Sequence, residues 1–185
     1  MSILDIRVLG DPILREETKP VEQITDELRT LVKHMFETMY LAKGIGLAAP
    51  QVGRSERLTV VDVDDNPLVL INPEILSLGA KTAKAEEGCL SIPDVYGDVE
   101  RPATVRVRAL DLKGESFEVE GTELLARCLQ HEIDHLHGKL FIDYLSFLKR
   151  RAALVKWASM TKDFPQNIRK IPPDEIAGRH GEEAL

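Results

Sequence analysis

The stretch "LQHEIDHLHG" (129–138) sets two histidines four apart, with a glutamate directly after the first. On a helix, residues four apart project from one face a turn from each other. His131 and His135 can therefore reach one ion. Glu132 is offset sideways, where a carboxylate can take a proton from a water at that ion. The pattern points to metal-assisted hydrolysis, with two ligands and a base on a single helix.

The placement of Glu132 carries more weight than the histidines. On a wheel of about 100° per residue, Leu124, Leu125, Cys128, Leu129, Ile133 and Leu136 fill one arc. Glu123, Arg127, Gln130, Asp134 and His137 fill the opposite one, the histidines sit at the boundary, and Glu132 falls inside the apolar arc. A carboxylate among leucines costs several kcal/mol unless something pairs with it. A bare H-x-x-x-H would carry little, because exposed histidines often have no role.

Two imidazoles do not close a metal site. The extended motif H-E-x-x-H-x-x-G-x-x-H fails here: Gly138 matches, but the third histidine position holds Phe141. No acidic residue falls within the following helix. Cys128 shares the face of His131 but lies seven residues from His135, about 10 Å along the axis. It reads as core packing. Cys89, in "AEEGCLSIP" (85–93), can deliver a thiolate from a loop outside the helix, and is the expected third ligand. The bland reading of either cysteine is a buried apolar residue.

These groups need elements to hold them. A first helix is predicted from a Thr25 cap, with Leu28, Leu31, Val32, Met35 and Met39 at helical spacing and Gly44 as its stop. Strands are predicted over 57–63, 67–76 and 103–112, the last with a hairpin partner over 115–121. The histidine helix spans about 122–137, and a third helix begins near Ser146. Strands cluster between one early and two late helices without βαβ alternation. The expected class is α+β, with mostly antiparallel strands around a central helix. Residues 1–162 read as one catalytic domain. Residues 163–185 read as a polar tail, loose or packed on a surface groove.

Composition narrows the function. The chain has 185 residues, is 43% hydrophobic and carries a formal charge of −7. That suits a single domain and argues against wrapping DNA. No apolar run approaches the roughly 18 residues of a membrane helix. The opening "MSILDIRVLGDP" lacks the features of a signal peptide, so the expected location is the cytoplasm.

Taken together, "GIGLAAPQ" (44–51), "EGCLS" (87–91) and "QHEIDH" (130–135) resemble the peptide deformylases, in that family's order. The likeness covers about residues 4–147, with "GDPILR" (10–15), "INPEI" (71–75) and "LFIDYLS" (140–146) beside the main motifs. It implies a hydrolase that removes the formyl group from the N-terminal formyl-methionine of newly made polypeptides. It implies one divalent metal on Cys89, His131 and His135: Fe²⁺ in the cell, with Zn²⁺, Ni²⁺ or Co²⁺ as replacements. Glu132 would be the general base and acid. The Gln51 amide and the Leu90 backbone N–H would face the developing oxyanion. Ile45, Gly46, Ile92, Gly97, Cys128 and Leu129 would line the substrate site. Arg101 is expected to pair with a carboxylate, Glu87 or Asp134. The basic start of the third helix, Lys149 to Arg151, reads as a solvated face or a ribosome contact.

Three alternatives stay open at this stage. A metallopeptidase would share the helix but needs another third ligand. A non-catalytic metal-binding protein of the same fold would be expected to lose a ligand or the base. A cysteine hydrolase using Cys89 would leave the buried Glu132 without a partner.

Overall fold

The computed structural model describes residues 3–172. The sequence elements appear in the expected order. Helix α1 (Asp26–Leu41) starts at Thr25, whose side chain accepts from the Leu28 N–H. Asp26 and Glu27 complement the positive end of the helix. Strand β1 (Ile6–Arg7) precedes it, and β2 (Gly46–Ala48), β3 (Leu58–Val63) and β4 (Asn66–Leu78) follow. Next come β5 (Thr82–Cys89), β6 (Ile92–Pro102), β7 (Thr104–Leu110) and β8 (Ser116–Thr122). Helix α2 (Glu123–Leu136), helix α3 (Phe147–Met160) and strand β9 (Ile168–Arg169) complete the fold.

All strand pairs are antiparallel. A five-stranded sheet runs β2-β3-β4-β7-β8, β5 and β6 form a separate hairpin, and β1 pairs with β9. Helix α1 lays Leu28, Leu31, Val32, Met35 and Met39 against Leu47, Leu58, Val60 and Ile71. Helix α2 lays Ala126, Cys128, Leu129 and Ile133 against Val61, Val63, Leu70, Val105 and Val107. Each fully buried side chain of this size contributes about 1.5–3 kcal/mol. The histidine helix is thus fixed by packing along most of its apolar arc, with Leu124 in its first turn left half-exposed. Helix α3 buries only Ala153 and Trp157, against Val8, Ile92, Val95, Val99 and Phe141.

Several details differ from the sequence reading. The hairpin over 82–102 was not fully anticipated, and Cys89 is not on a loop. It is the last residue of β5, beside a register shift that follows Gly88. Within "GIGLAAP", Gly46–Ala48 adds an edge strand to the main sheet. The left-handed residue ending α1 is Lys43, with φ 58°, rather than Gly44. Gly44 lies instead under the Leu90 side chain: a Cβ there would stand 2.7 Å from Leu90 Cδ1, so that side chain would have to shift.

The chain beyond 162 is also more engaged than its polarity suggests. Phe164 stacks on Trp157 with ring centroids 5.4 Å apart. Ile171 is buried with Ile6, Leu41 and Ala42. Residues 173–185 of the expected tail lie outside the described residues.

Candidate metal centre

Helix α2 brings His131 and His135 together as the four-residue spacing requires. Their Nε2 atoms are 3.2 Å apart. The end of β5 adds Cys89, whose Sγ lies 3.3 Å from His135 Nε2. All three candidate ligand atoms fall within 4.8 Å of one another. A tetrahedral ion with bonds of about 2.0–2.3 Å holds its ligand atoms roughly 3.3–3.6 Å apart. The donor set fits such an ion, and thiolate with imidazole suits Zn or Fe alike. Cys128 Sγ points elsewhere, to the Ile45 carbonyl at 3.6 Å.

The surroundings of the two histidines differ. Glu87 accepts from His131 Nδ1 at 2.8 Å, which leaves His131 Nε2 as the atom facing Cys89 and His135. Burial by itself would lower the His131 pKa, but hydrogen bonds to Cys89 and Glu87 outweigh it and hold the pKa well above the usual value. Burial, and then the charge on His131, push His135 well below its usual pKa. An imidazole binds a metal ion only in its neutral form, which the shift at His135 favours and the shift at His131 opposes.

Glu87 is itself held by two guanidinium groups. Arg101 donates to it from Nε at 2.6 Å and from Nη2 at 3.0 Å. Arg127 donates from Nη1 at 2.7 Å. Burial would raise the Glu87 pKa, but His131 and Arg101 bring it down to about 2. Arg101 continues to Asp134 at 2.8 Å, and Tyr144 donates its hydroxyl to the same carboxylate oxygen at 2.8 Å. Arg101 thus pairs with both carboxylates considered from sequence. The link from Glu87 to His131 was missed, although Glu87 stands only two residues before Cys89.

Glu132 is 4% exposed, as the wheel implies. Burial, above all, raises its pKa to about 7. Thr59 Oγ1 approaches its Oε2 at 3.5 Å. Gly46 leaves the space it fills, since a Cβ at residue 46 would stand 2.5 Å from Glu132 Oε1.

Gln51 is 1% exposed. Its Oε1 accepts from the Ala48 N–H at 2.8 Å, which turns its NH₂ toward Ser91 Oγ at 3.1 Å and Cys89 Sγ at 3.5 Å. A donor is thereby aimed at the ligand cluster.

A cavity of about 500 Å³ opens beside this cluster. Ile45, Gly46, Gln51, Cys89, Leu90, Ile92, Cys128, His131 and Glu132 all line it. Two residues expected there do not. Leu129 is fully buried between α2 and the main sheet, over Gly121. Gly97 pairs with Glu87 within the hairpin and faces the Leu145 side chain. Arg169, from β9, also lines the cavity, and no local pattern in the sequence signals it.

The family model described as polypeptide deformylase matches residues 3–151. The chain is 53% identical over 173 residues to a peptide deformylase of Alkalilimnicola ehrlichii, covering 91% of this chain and 96% of that one. It is 53% identical over 154 residues to one of Acinetobacter baumannii, covering 82% and 88%. Among solved structures, a peptide deformylase from Legionella pneumophila superposes with a TM-score of 0.83 at 49% identity, over 87% of this chain and 96% of that one. One from Synechococcus elongatus, in complex with actinonin, gives 0.81 at 49%, over 84% and 86%. Identity of this extent, carried over nearly the whole length of the relatives and through one shared fold, reflects common descent: the chain belongs to the peptide deformylase family.

Proposed function

We propose that the chain hydrolyses the N-formyl group of formyl-methionine at the start of newly made polypeptides, releasing formate and a free amine. The observation that carries this reading is the meeting of Cys89 Sγ and two imidazole nitrogens beside the buried Glu132, with Cys89, His131 and Glu132 on the wall of one cavity. Cys89, His131 and His135 would hold a divalent cation, which when bound supplies Lewis acidity to the formyl oxygen and lowers the pKa of a water. We assign the ion as Fe²⁺ in the cell, with Zn²⁺, Ni²⁺ or Co²⁺ able to replace it.

The chain's own groups do the rest. Glu132 takes the proton of the attacking water as its oxygen bonds to the formyl carbon. Negative charge grows on the formyl oxygen, toward the Gln51 NH₂ and the Leu90 backbone N–H. One such donor is worth about 3 kcal/mol in the transition state. Glu132 then passes its proton to the nitrogen as the C–N bond breaks. A carboxyl with pKa near 7 suits both directions of that transfer. Ile45, Ile92 and Cys128 form an apolar wall for the methionine side chain. The edge strand at Gly46 and the end of β5 offer backbone on either side of an extended peptide.

The same cavity would take actinonin, with which a solved relative is found in complex. We place the activity in the cytoplasm, where nascent chains emerge. Phe147 and Leu148 are exposed beside Lys149, Arg150 and Arg151 at the start of α3, and would meet the ribosome. Co-sedimentation with ribosomes tests that contact.

The central test is formate release from formyl-Met-Ala-Ser by anaerobically purified protein with its metal counted. Chelator-sensitive release with about one metal per chain is expected. No release from metal-loaded protein would overturn the reading.

A further inference from the structure

Leu90 is held from below by the C-terminal segment. Strand β9 lies antiparallel to β1, with Arg169 opposite Ile6 and Ile168 opposite Arg7. That pairing places Arg169 on the cavity wall, where its Nη1 donates to the Leu90 carbonyl at 3.2 Å. Two residues on, Ile171 is buried in an apolar cluster with Ile6, Leu41 and Ala42, and the Leu90 side chain packs against it. On its other side the Leu90 side chain lies close over Gly44, where an added Cβ would stand 2.7 Å from Leu90 Cδ1. Leu90 is thus fixed by its carbonyl and by both sides of its side chain. It occupies the turn between β5 and β6, next to Ser91, whose carbonyl accepts from the Leu9 N–H at 2.8 Å.

We propose that Arg169 is a positioning residue for the reaction. By holding the Leu90 carbonyl, it fixes the backbone so that the Leu90 N–H faces the formyl oxygen as charge develops. The inference rests on the deformylase reading and on the role given there to the Leu90 N–H. Oxyanion stabilisation depends on donors that are already aimed, because a donor that must reorient loses much of its value. An arginine suits the task, since its planar guanidinium presents fixed donors that can bond a backbone carbonyl. The matched family region ends at residue 151, so this contact comes from a part of the chain beyond it.

The test uses Arg169→Met, which keeps the stem but removes the donor, and Arg169→Lys, which restores one. Two readouts are taken: the amide ¹H–¹⁵N resonance of Leu90 in zinc-loaded protein, and formyl-Met-Ala-Ser turnover with metal counted. For Arg169→Met we expect a shifted Leu90 amide, unchanged metal content and unchanged KM. Its kcat should fall by about tenfold, less than the loss of a whole donor, and Arg169→Lys should recover most of it. An unmoved Leu90 amide would overturn the inference. So would a moved amide with full kcat, because the position of Leu90 would then not limit turnover. A rise in KM that follows peptide charge, with kcat intact, would assign Arg169 to substrate attraction and also overturn it. A parent protein that releases no formate would sink the deformylase reading instead.

Discussion

Gly46 and Glu132 fit each other by the width of one missing carbon: a Cβ on residue 46 would lie 2.5 Å from Glu132 Oε1 and 2.7 Å from its Cδ. Edge strand β2 and α2 can therefore keep their spacing beside any larger residue at 46 only if the Glu132 carboxylate swings away, toward the cavity that both residues line. Gly46→Ala should push the Glu132 carboxylate aside while leaving Cys89, His131 and His135 undisturbed. Turnover should drop by about 100-fold, the scale for a reacting group misplaced by about 1 Å. Metal content should stay at the parent level, and a variant with parental turnover would contradict the assignment of Glu132.

Glu132→Gln separates catalysis from stability. Turnover should be largely lost with metal retained. Stability of the metal-free protein should respond in the opposite sense. The Glu132 carboxyl titrates near 7 when folded and near 4.5 when unfolded. Between those values the folded chain holds a proton that the unfolded chain has released, so stability falls as pH rises through the window. Above pH 7 the penalty is complete, on the order of 3 kcal/mol. Denaturant midpoints of metal-free parent and variant should be close at pH 4.5 and separate by pH 8, with the variant the more stable. An equal gap at both pH values would show that the charge of Glu132 is not the cause.

Glu87→Gln would remove the carboxylate that orients His131 and leave Arg101 and Arg127 without their shared partner. Loss of such an orienting group costs about 10- to 100-fold in metal affinity. Leaving buried Arg101 with only Asp134 should also lower the thermal midpoint. Competition against a chromophoric chelator reads the first effect and calorimetry the second. Parental affinity would mean that packing alone orients His131.

Cys89→Ser tests the third ligand. A serine hydroxyl is a poor ligand at neutral pH, so purified variant should carry well under one metal per chain. Full occupancy would direct attention to Cys128, the other cysteine beside the cavity.

The helix that carries the chemistry was legible because its apolar arc, its polar arc and the misplaced Glu132 all follow one period. The third ligand followed from elimination, since few residues of the right chemistry remain outside the helix. The hairpin over 82–102 was harder to read. Most of β5 faces solvent on both sides, so it lacks the alternation that marks a half-buried strand. The Glu87 network was only partly visible, because Arg101 and Arg127 reach Glu87 from different elements and sequence spacing does not encode such meetings. Leu129 misled for a simple reason. It neighbours Cys128 in sequence, but one step along a helix turns the side chain through about 100°, here from the cavity into the core. Arg169 is an ordinary arginine until β9 docks against β1.

The hydrogen-bond chain from His131 through Glu87 to Arg101 and Asp134 joins both ends of the ligand set without the help of an ion. Asp134 and His131 belong to α2, while Glu87 and Arg101 belong to the hairpin that ends in Cys89. Helix and hairpin are thus clamped together by protein contacts, two residues from Cys89 on one side and at His131 itself on the other. In small zinc domains the ion supplies the folding energy and its removal unfolds the chain. Here the contacts that join helix and hairpin need no ion, so the scaffold is expected to stay folded when a bound ion is removed.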